Sequence, residues 1–449
     1  MTPALGPADD FASLSAMDPV ALGADIYDLV RELYPFCRSI TGDGVRKTLA
    51  RLRRDIALQM HEVPSGTRVF DWAVPREWNI RDAWVKNSCG ERVIDFRRHN
   101  LHVVSYSVPV RARMRLDALR AHLHSLPEQP DLIPYRTSYY KEDWGFCLAH
   151  RDLERLADEE YEVCIDATLQ DGHLTYGECV VPGTTRQEVL VSCHVCHPSL
   201  CDDNLSGIAV AAFLARHLAR VRLRYTYRFV FIPGTIGAIT WLSRNEAQAR
   251  AIAHGLVLTC IGDRAGFTYK QSRRGDAPID RAVAHVLQRS GQDHAIEPFS
   301  PYGYDERQYC SPGFNLPVGC LMRSPHGRFA QYHTSADDLA FVAPDALAAS
   351  FATLLSVFDV LEHDRRYLNL NPKCEPQLGK RGLYAAVGGI GVHDLQMAML
   401  WVLNLSDGQW GLLEIAQRSG LAFATVKRAA DLLLRHDLLA LAEEEEMRL

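Results

Sequence analysis

The sequence predicts an α/β fold that is built on a mainly parallel sheet and carries two smaller domains. Between residues 184 and 365, short apolar runs alternate with segments of helical apolar spacing, which is the pattern of strand–helix repeats. From residue 64 to residue 183 the chain is instead rich in short β-type pieces and turn residues. Beyond residue 366 it has the order of a helix-turn-helix with a wing. A chain of 449 residues is also too long for one compact core.

The N-terminal part of the chain predicts two helices that belong to the α/β core. The stretches 21–40 and 42–56 both show helical apolar spacing. We therefore assign residues 1–63 and 184–365 to the core, and residues 64–183 to an inserted β-rich domain. The β-type pieces of the insertion are RHNLHVVSYSVPV (98–110), YEVCIDATL (161–169) and HLTYGECVVPG (173–183).

Four apolar runs predict the strands of the core sheet, and a helical pattern follows each of them. The strand runs are QEVLVSC (187–193), YRFVFIPG (227–234), GLVLTCIGD (255–263) and LPVGCLMRS (316–324). The helices are expected over residues 206–221, 238–253, 279–291 and 344–363. This order predicts parallel strands joined by helical crossovers.

Residues 366–449 predict a winged helix-turn-helix domain. Its second helix, Phe423 to Arg435, would be the recognition helix and carries Lys427 and Arg428. Against contact with nucleic acid, the domain holds nine Lys/Arg against ten Asp/Glu residues, whereas such modules usually have a basic footprint. We expect a packing or dimerising role, with homo-oligomers formed through this domain.

Composition excludes several classes of protein. Hydrophobic residues make up 47% and charged residues 23%, as in an ordinary globular protein, and the net charge of -6 does not favour general binding to nucleic acid. No apolar run is long enough for an ordinary membrane span, and the first nineteen residues do not resemble a signal peptide. The twelve cysteines form no paired knuckles of a structural zinc site. We expect a cytoplasmic protein with reduced thiols.

Polar residues directly after the predicted strands are the candidates for a functional site, because ligands bind beyond the carboxyl ends of strands in open α/β sheets. These residues are His194, His197, Asp202 and Asp203 after the first strand, Gly234 and Thr235 after the second, Asp263 after the third, and His333, Asp337 and Asp338 after the fourth. Histidine with aspartate, outside a thiolate cluster, favours a zinc-type site with an open position.

Structural roles remain open for each of these residues taken singly. A histidine beside a strand is more often a structural residue than a ligand, and Asp-Asp-Asn before a helix is typical of an N-terminal cap. Cys193, Cys196 and Cys201 are expected to pack, because no partner base for a thiol nucleophile is evident. The convergence of several candidates on one sheet edge favours metal binding or catalysis.

The order of these motifs resembles the MH-clan zinc aminopeptidases. More closely, the chain is similar to bacterial aminopeptidase-like proteins that have an inserted small domain and a C-terminal winged helix. The resemblance covers nearly the whole chain and rests on PFCRSITGDGVRKTL (35–49), PYRTSYYKEDWGFC (134–147), LTYGE (174–178), CHPSLCDDNLSG (196–207), TIGAI (235–239), YDERQYCSPGFNLPV (304–318) and QYHTSADDL (331–339).

The resemblance implies a set of metal ligands. In such aminopeptidases a His, a bridging Asp, a Glu, a second Asp and a final His hold two zinc ions. His194 matches the first His, with His197 as a neighbour that could replace it, and Asp203 matches the bridging Asp. Asp263 matches the second Asp, and His333 matches the final His.

The expected Glu-Glu pair after the second strand is Gly234-Thr235 in this chain. The resemblance then implies one zinc ion rather than two, and the absence of the usual general base. A missing base typically lowers a rate by ~10²–10⁴-fold, so weak peptidase activity is expected. Asp202, Asp305 or Glu306 could supply the base from another direction.

Residues of the later loops complete the expected pocket. Arg307 and Arg323 are candidates to bind a substrate carboxylate, because a guanidinium group matches its two oxygens. Structural salt bridges are the alternative. Tyr304 is expected to line the pocket, with Tyr302 and Tyr309, although packing is the commoner role for such tyrosines. Tyr139 and Tyr140 of the insertion could cover the site as a lid.

The leading hypothesis is a zinc-dependent, aminopeptidase-like hydrolase. It would act on an amide or peptide bond of a small aminoacyl or biosynthetic substrate, with a small molecule or a short peptide as its partner and no membrane contact. The alternatives are a catalytically impaired scaffold that binds metal or ligand, and a DNA-binding regulator with a sensor domain.

Overall fold

The fold is taken from a computed structural model, which describes Phe11, Leu14 and residues 17–384 and 392–442. Its strands from the N-terminus are β1 (Gln59–Pro64), β2 (Arg68–Val69), β3 (Trp72–Ala73), β4 (Glu77–Lys86), β5 (Arg92–Asp95), β6 (Val110–Arg115), β7 (Leu123–His124), β8 (Phe146–Cys147), β9 (Glu160–Gln170) and β10 (His173–Val181). They continue as β11 (Glu188–His194), β12 (Thr226–Ile232), β13 (Ile252–Leu258), β14 (Phe267–Lys270), β15 (His294–Glu297), β16 (Val318–Met322), β17 (Arg366–Asn369), β18 (Asp407–Gly411) and β19 (Leu439–Leu441).

Helices lie between these strands. They are α1 (Pro19–Leu33), α2 (Asp43–Leu52), α3 (Leu116–Leu119), α4 (His150–Glu154), α5 (Gly207–Leu218), α6 (Ile236–Arg244), α7 (Glu246–Ala249), α8 (Pro278–Arg289), α9 (Glu306–Tyr309), α10 (Pro344–His363), α11 (Val392–Leu405), α12 (Leu412–Ser419) and α13 (Phe423–Arg435). The chain divides into two compact units, the first made of residues 1–280 and 292–355 and the second of residues 281–291 and 356–449.

The first unit is organised around an eight-stranded mixed sheet, with the order β1-β10-β12-β11-β13-β16-β14-β15 among the described strands. Its four central strands, β12, β11, β13 and β16, are parallel to one another, and they are the four strands that the apolar runs predict. Every residue of β11 is buried, as expected for a strand covered on both faces. The predicted α/β class is confirmed.

The inserted domain is smaller than residues 64–183. A four-stranded sheet of order β5-β4-β9-β6 forms its body, but β10 pairs with β1 and β12 and so belongs to the main sheet. The predicted boundary at residue 183 is therefore too late. The sequence pattern alone did not distinguish β9 from β10, because both are long antiparallel strands.

Residues 98–110 form little of the predicted β structure. A short helical turn, Asn100–His102, and isolated bridges from Val103 to Phe146 and from Ser105 to Thr137 replace a strand there. The apolar side chains of Val103 and Val104 are nevertheless buried, which explains the hydrophobic pattern. Burial in a loop and burial in a strand produce the same local signal.

The second unit contains the predicted winged helix. Helices α12 and α13 are joined through Gly420, which has a φ of 70°. The wing is a three-stranded sheet of order β18-β17-β19, whose middle strand comes from Arg366–Asn369, ahead of the helices. The sequence predicts the wing but not that its middle strand lies ahead of the helices.

Helix α10 is long and apolar enough to cross a membrane by composition alone. However, 67% of the residues in its most apolar window are buried within the protein. Burial of this kind is typical of a core helix.

A buried ion network in the main sheet gives a prediction about stability. Arg228 lies 2.7 Å from Glu178 and 2.6 Å from Glu188, and its side chain is only 10% exposed. Arg228→Met leaves two carboxylates, which are only 14% and 4% exposed, without their cation. We expect the free energy of unfolding, measured by urea denaturation, to fall by about 3–5 kcal/mol.

The matched control is Arg81→Met, which removes an arginine paired with Asp166 on the surface, where its side chain is 70% exposed. This substitution should leave the free energy of unfolding nearly unchanged. Equal losses in the two variants would contradict the assignment of a structural role to the buried network.

Candidate metal centre

The parallel strands bring the loops with the candidate residues to one edge of the sheet. His194, the last residue of β11, pairs in register with Ile232, the last residue of β12. The register of β11 against β13 places Ser192 opposite Val257. Carboxyl ends that lie side by side in this way form the crevice where ligands bind in open α/β folds.

The carboxylate of Asp203 is the centre of the site. Nε2 of His194 lies 2.7 Å from its Oδ1, and Nε2 of His333 lies 3.0 Å from its Oδ2. Nε2 of His197 lies 3.8 Å from Oδ2, and the Tyr304 hydroxyl donates to Oδ2 at 2.7 Å. Ligand atoms of His194, His197 and Asp203 all lie within 4.8 Å of one another, as a shared metal ion requires. Three imidazoles therefore converge on one buried carboxylate.

A network behind Asp203 fixes the turn that carries it. Oδ1 and Oδ2 of Asp337 accept hydrogen bonds from the backbone N–H groups of Asp202 at 2.6 Å and Asp203 at 3.0 Å. Oδ1 of Asp202 in turn accepts a hydrogen bond from Gly262 N–H at 2.7 Å. The Asn204 amide donates to the carbonyl of Leu258 at 2.9 Å. Asp337 and Asp202 thus position the loop, and the geometry gives Asp202 a structural role.

The charges of the cluster follow from burial and from the imidazoles. Burial alone would raise the pKa of Asp203, but His197 and the hydrogen bonds from His194 and His333 outweigh burial and hold this pKa well below its usual range. Burial lowers the pKa of His197 to about 3, although Asp203 opposes the shift. Asp203 is therefore ionised and His197 is neutral, which are the forms that bind metals.

Aromatic rings surround the cluster. Tyr304 stacks on His194 with centroids 4.4 Å apart, and Tyr332 stacks on His333 at 3.9 Å. Tyr135, which belongs to the insertion, lies 5.1 Å from the ring of His197 and 5.0 Å from that of His333. These rings fix the orientations of the imidazoles and restrict access of water.

The insertion is joined to the site through the main chain as well. The N–H of Tyr135 donates to the carbonyl of His333 at 2.7 Å, and its hydroxyl lies 2.8 Å from that of Tyr139. Tyr140 is 50% exposed and packs edge-on against Trp72. The structure thus places Tyr139 and Tyr140 near the site, and their function as a lid stays a prediction.

Gly234 lies beside the cluster, where the resemblance expects a glutamate. A Cβ added at this position would lie 3.5 Å from Cβ of His194 and 3.4 Å from Sγ of Cys196, which are ordinary contacts. A side chain at position 234 would therefore begin against His194. The next residue, Thr235, has a φ of 64°, which is a strained value for a β-branched residue.

Asp263 and Arg323 make other contacts than those expected of them. Both oxygens of Asp263 accept backbone N–H groups, from Ala265 at 2.5 Å and from Ser324 at 3.1 Å. The Arg323 guanidinium donates to Ser350 and to the carbonyls of Ala265 and Ala346, and it lies 4.1 Å from the ring centroid of Phe267. These contacts give both residues structural roles, and metal or substrate binding by them remains a prediction without support from the geometry.

The segment after Tyr304 brings three charged residues to the same region. Oδ1 of Asp305 accepts the N–H of Thr235 at 2.6 Å, and Glu306 forms an ion pair with Lys270 at 2.5 Å. Arg307 donates to Oγ1 of Thr235 at 3.4 Å, and its Nε has no hydrogen-bond partner among the described residues. Arg307 thus has a buried nitrogen without a hydrogen bond among the described residues, whereas each nitrogen of Arg323 donates within the protein.

Sequence reasoning missed residues that touch the cluster. Tyr135 and Tyr332 lie within motifs that carried the resemblance, so the motifs contained the signal, but their rings could not be placed. His326 packs edge-on against Tyr304 at 5.0 Å, and nothing in its local sequence marks it. Asp337 was already a candidate after the fourth strand, and the structure gives it the role of an anchor for the aspartate turn.

The fold and the site define an α/β protein of the zinc aminopeptidase fold with a His/Asp cluster and a winged helix. A zinc aminopeptidase from Bacillus subtilis matches 75% of this chain and 94% of its own, at 12% identity and a TM-score of 0.55. A precursor described as Peptidase M28 from Shewanella amazonensis matches 78% and 95%, at 14% identity and a TM-score of 0.54. At these identities the likeness establishes the fold only.

The chain belongs to the family described as "Domain of unknown function (DUF4910)", whose profile matches residues 27–364, and a winged helix-turn-helix profile matches residues 365–441. A relative from Clostridium acetobutylicum is 54% identical over 420 residues, which is 93% of this chain and 96% of the relative. It is provisionally described as a polysaccharide biosynthesis protein with an aminopeptidase-like domain. A crystal structure from the same organism, provisionally described as a peptidase, has 53% identity and a TM-score of 0.91 over 94% of this chain and 97% of its own.

The hydrogen bond from Tyr304 to Asp203 gives a prediction for the metal-free protein. Tyr304→Phe removes a bond to a buried charged group while keeping the ring that stacks on His194. The free energy of unfolding, measured by chemical denaturation in the presence of a chelator, should fall by about 1.5–3 kcal/mol.

Tyr332→Phe is the matched control, because the Tyr332 hydroxyl contacts the Tyr304 hydroxyl at 3.2 Å rather than a carboxylate. We expect it to lower the free energy of unfolding by about 1 kcal/mol or less. If Tyr332→Phe lowered the free energy of unfolding as much as Tyr304→Phe, the contact with Asp203 would contribute no more to stability than the contact between the two hydroxyls.

Proposed function

We propose that this chain is a zinc-dependent hydrolase that cleaves an amide bond in a small aminoacyl or peptide-type substrate. The observation that carries the proposal is the convergence of His194, His197 and His333 on the buried carboxylate of Asp203. Imidazole nitrogens and a carboxylate oxygen are the donors that zinc takes in catalytic sites. In the aminopeptidase-like fold, this donor set lies at the sheet edge where open α/β sheets bind their ligands.

The residues present fit one zinc ion better than two. Asp203, His333 and either His194 or His197 would hold it, which leaves one position open for substrate, and Tyr304 would orient the carboxylate from outside. A second ion would need further carboxylates, but Asp263 is occupied by backbone N–H groups and position 234 is glycine. When bound, zinc polarises a substrate carbonyl and lowers the pKa of water.

Other side chains would bind and shield the substrate. Arg307, which keeps donors free among the described residues, would bind a substrate carboxylate. The rings of Tyr135, Tyr304 and Tyr332 would form walls that exclude bulk water and keep electrostatic interactions strong.

The biological setting that we propose is cytoplasmic and biosynthetic. The relative with 54% identity is described, provisionally, through polysaccharide biosynthesis. An amide on a sugar-linked or aminoacyl intermediate therefore stands beside a peptide as the proposed substrate. Small molecules or short peptides would be the partners, and the winged helix would support homo-oligomers.

The alternative with an observation in its favour is a catalytically impaired protein that binds metal. It rests on Gly234, which removes the carboxylate expected beside the cluster. A role as a DNA-binding regulator is less favoured, because Lys427 of the recognition helix lies 3.6 Å from Asp359 and is only partly exposed.

Zinc content tests the metal site. Purified protein should retain about one zinc ion per chain, because the imidazoles and the Asp203 carboxylate converge on one position. Asp203→Asn and His333→Ala should each lose most of it, measured by elemental analysis after dialysis. His326→Ala is the control and should retain the metal, since His326 packs on Tyr304 and, within the described part of the chain, forms no hydrogen bond with Asp203. The proposed metal site would be contradicted if wild-type protein held less than about a tenth of an equivalent of zinc and bound no more when metal was added.

Hydrolysis of aminoacyl anilides or short peptides tests the activity. We expect turnover by the zinc-loaded protein, its loss with a chelator, and its recovery when zinc is added back, because the metal supplies electrophilic activation. A protein that binds zinc but hydrolyses none of a panel of aminoacyl, peptide and aminoacyl-sugar amides would instead support the impaired scaffold.

A further inference from the structure

Gly234 occupies the position of the expected glutamate, and the carboxylate of Asp305 lies next to it. Position 234 faces His194, since an added Cβ would be 3.5 Å from Cβ of that ligand. The adjacent N–H group, that of Thr235, donates to Oδ1 of Asp305 at 2.6 Å. Asp305 thus reaches, from a different segment of the chain, the start of helix α6 immediately next to position 234.

Among the residues that the structure describes, one oxygen of the Asp305 carboxylate has no hydrogen-bond partner. Asp305 is 1% exposed, and among the described residues its Oδ2 accepts no hydrogen bond. A buried carboxylate oxygen without a donor is costly and calls for an explanation, such as a catalytic role or an ordered water. Thr235, strained at a φ of 64°, aims its N–H at the other oxygen and so fixes the carboxylate.

We propose that Asp305 is the proton acceptor of the site and takes the place of the glutamate that Gly234 lacks. This inference rests on the proposed hydrolase function and names its base. In the reaction, water forms a C–O bond to the amide carbonyl carbon and gives one proton to Oδ2 of Asp305. The C–N bond then breaks and Asp305 returns the proton to the leaving nitrogen. One water is consumed, and a carboxylic acid and an amine are released.

The other two candidate carboxylates also have buried oxygens without a hydrogen bond among the described residues, but each of them is engaged by other groups. Glu306 is completely buried and forms an ion pair with Lys270 at 2.5 Å. Asp202 accepts the N–H of Gly262, and its own N–H donates to Asp337, so that it holds the turn in place. Asp305 alone among the three contacts the residue that follows Gly234.

The electrostatic surroundings of Asp305 suit a base that works near neutral pH. The pKa of Asp305 is raised to about 6, mainly by burial and also by the neighbouring Glu306, against the opposing effects of His194, the Thr235 N–H and Arg307. Ionisable side chains of Tyr140, Cys193, Cys196, Tyr309 and Cys320 also lie close enough to interact with its charge. General bases are most effective when their pKa lies close to the working pH.

Asp305→Asn tests the proposal with little structural change, because the asparagine carbonyl can still accept the Thr235 N–H. In the zinc-loaded protein kcat should fall by about 10²–10⁴-fold, with KM changed far less. Zinc content and the thermal midpoint of the metal-free protein should stay at wild-type values or rise, since an unpaired buried charge has been removed. A kcat within about threefold of wild type would overturn the assignment, and so would loss of zinc in parallel with activity.

A rescue experiment separates a base from a structural residue. Adding Gly234→Glu to Asp305→Asn returns a carboxylate beside His194, and kcat should recover by about tenfold or more. Gly234→Gln in the same background is the matched control, with the same shape and no basic group, and should not recover. Equal recovery with Gln and Glu, or none with either, would contradict an exchange of carboxylates between the two positions.

Glu306→Gln is a control that shows whether neutralising a different buried carboxylate in this segment lowers kcat as much as Asp305→Asn does. It should lower thermal stability, because Lys270 loses its charged partner, while folded protein keeps a kcat within about threefold of wild type. A loss of kcat equal to that of Asp305→Asn would move the base to Glu306. If wild-type protein binds zinc but hydrolyses nothing, the proposed function fails; if wild type is active and Asp305→Asn is equally active, only this inference fails.

Discussion

The negative charge of Asp203 is the constraint on which the rest of the site depends. A buried carboxylate is stable only when hydrogen-bond donors or cations compensate for the water it has lost. Here His194, His333 and Tyr304 contact its two oxygens, while its own backbone N–H is held by Asp337. Because these groups all bind the same residue, removing one of them weakens the interactions that hold the others in position. The same arrangement that satisfies the charge presents a set of zinc donors.

This requirement determines how distant segments of the first unit come together. His194 is placed by a central strand of the sheet, and Asp203 by the turn before helix α5. His333 comes from a loop whose carbonyl accepts the N–H of Tyr135, and the bridge between Pro134 and Thr334 adds a second link to the insertion. The insertion is therefore part of the site's wall. Its apolar rings also lower the local dielectric constant, which strengthens every charge interaction at Asp203.

The order of strands and polar residues along the sequence predicts much of this arrangement. The rest depends on hydrogen bonds that only the structure shows. Parallel strands must end at one edge, so residues after β11 and before α5 could be grouped with His333 from the sequence. Asp263 also follows a strand, but its loop turns so that Ala265 and Ser324 supply its hydrogen bonds. Arg323 is likewise used by nearby carbonyls. A polar side chain faces either the crevice or its own loop, depending on where backbone N–H groups lie. The positions of these N–H groups depend on the conformation of the loop and cannot be read from the residue type.

The backbone at position 234 could accommodate a residue with a side chain, so the absence of a carboxylate there needs another explanation. Its φ is not positive, and an added Cβ would meet nothing closer than 3.4 Å, so neither conformation nor space demands glycine. A glutamate at this position would bring a second negative charge into the region where Asp305 already lies buried beside Thr235. Two like charges there would repel each other, and one of them would be driven to take up a proton. Glycine at position 234 avoids this repulsion, which agrees with the role that we propose for Asp305.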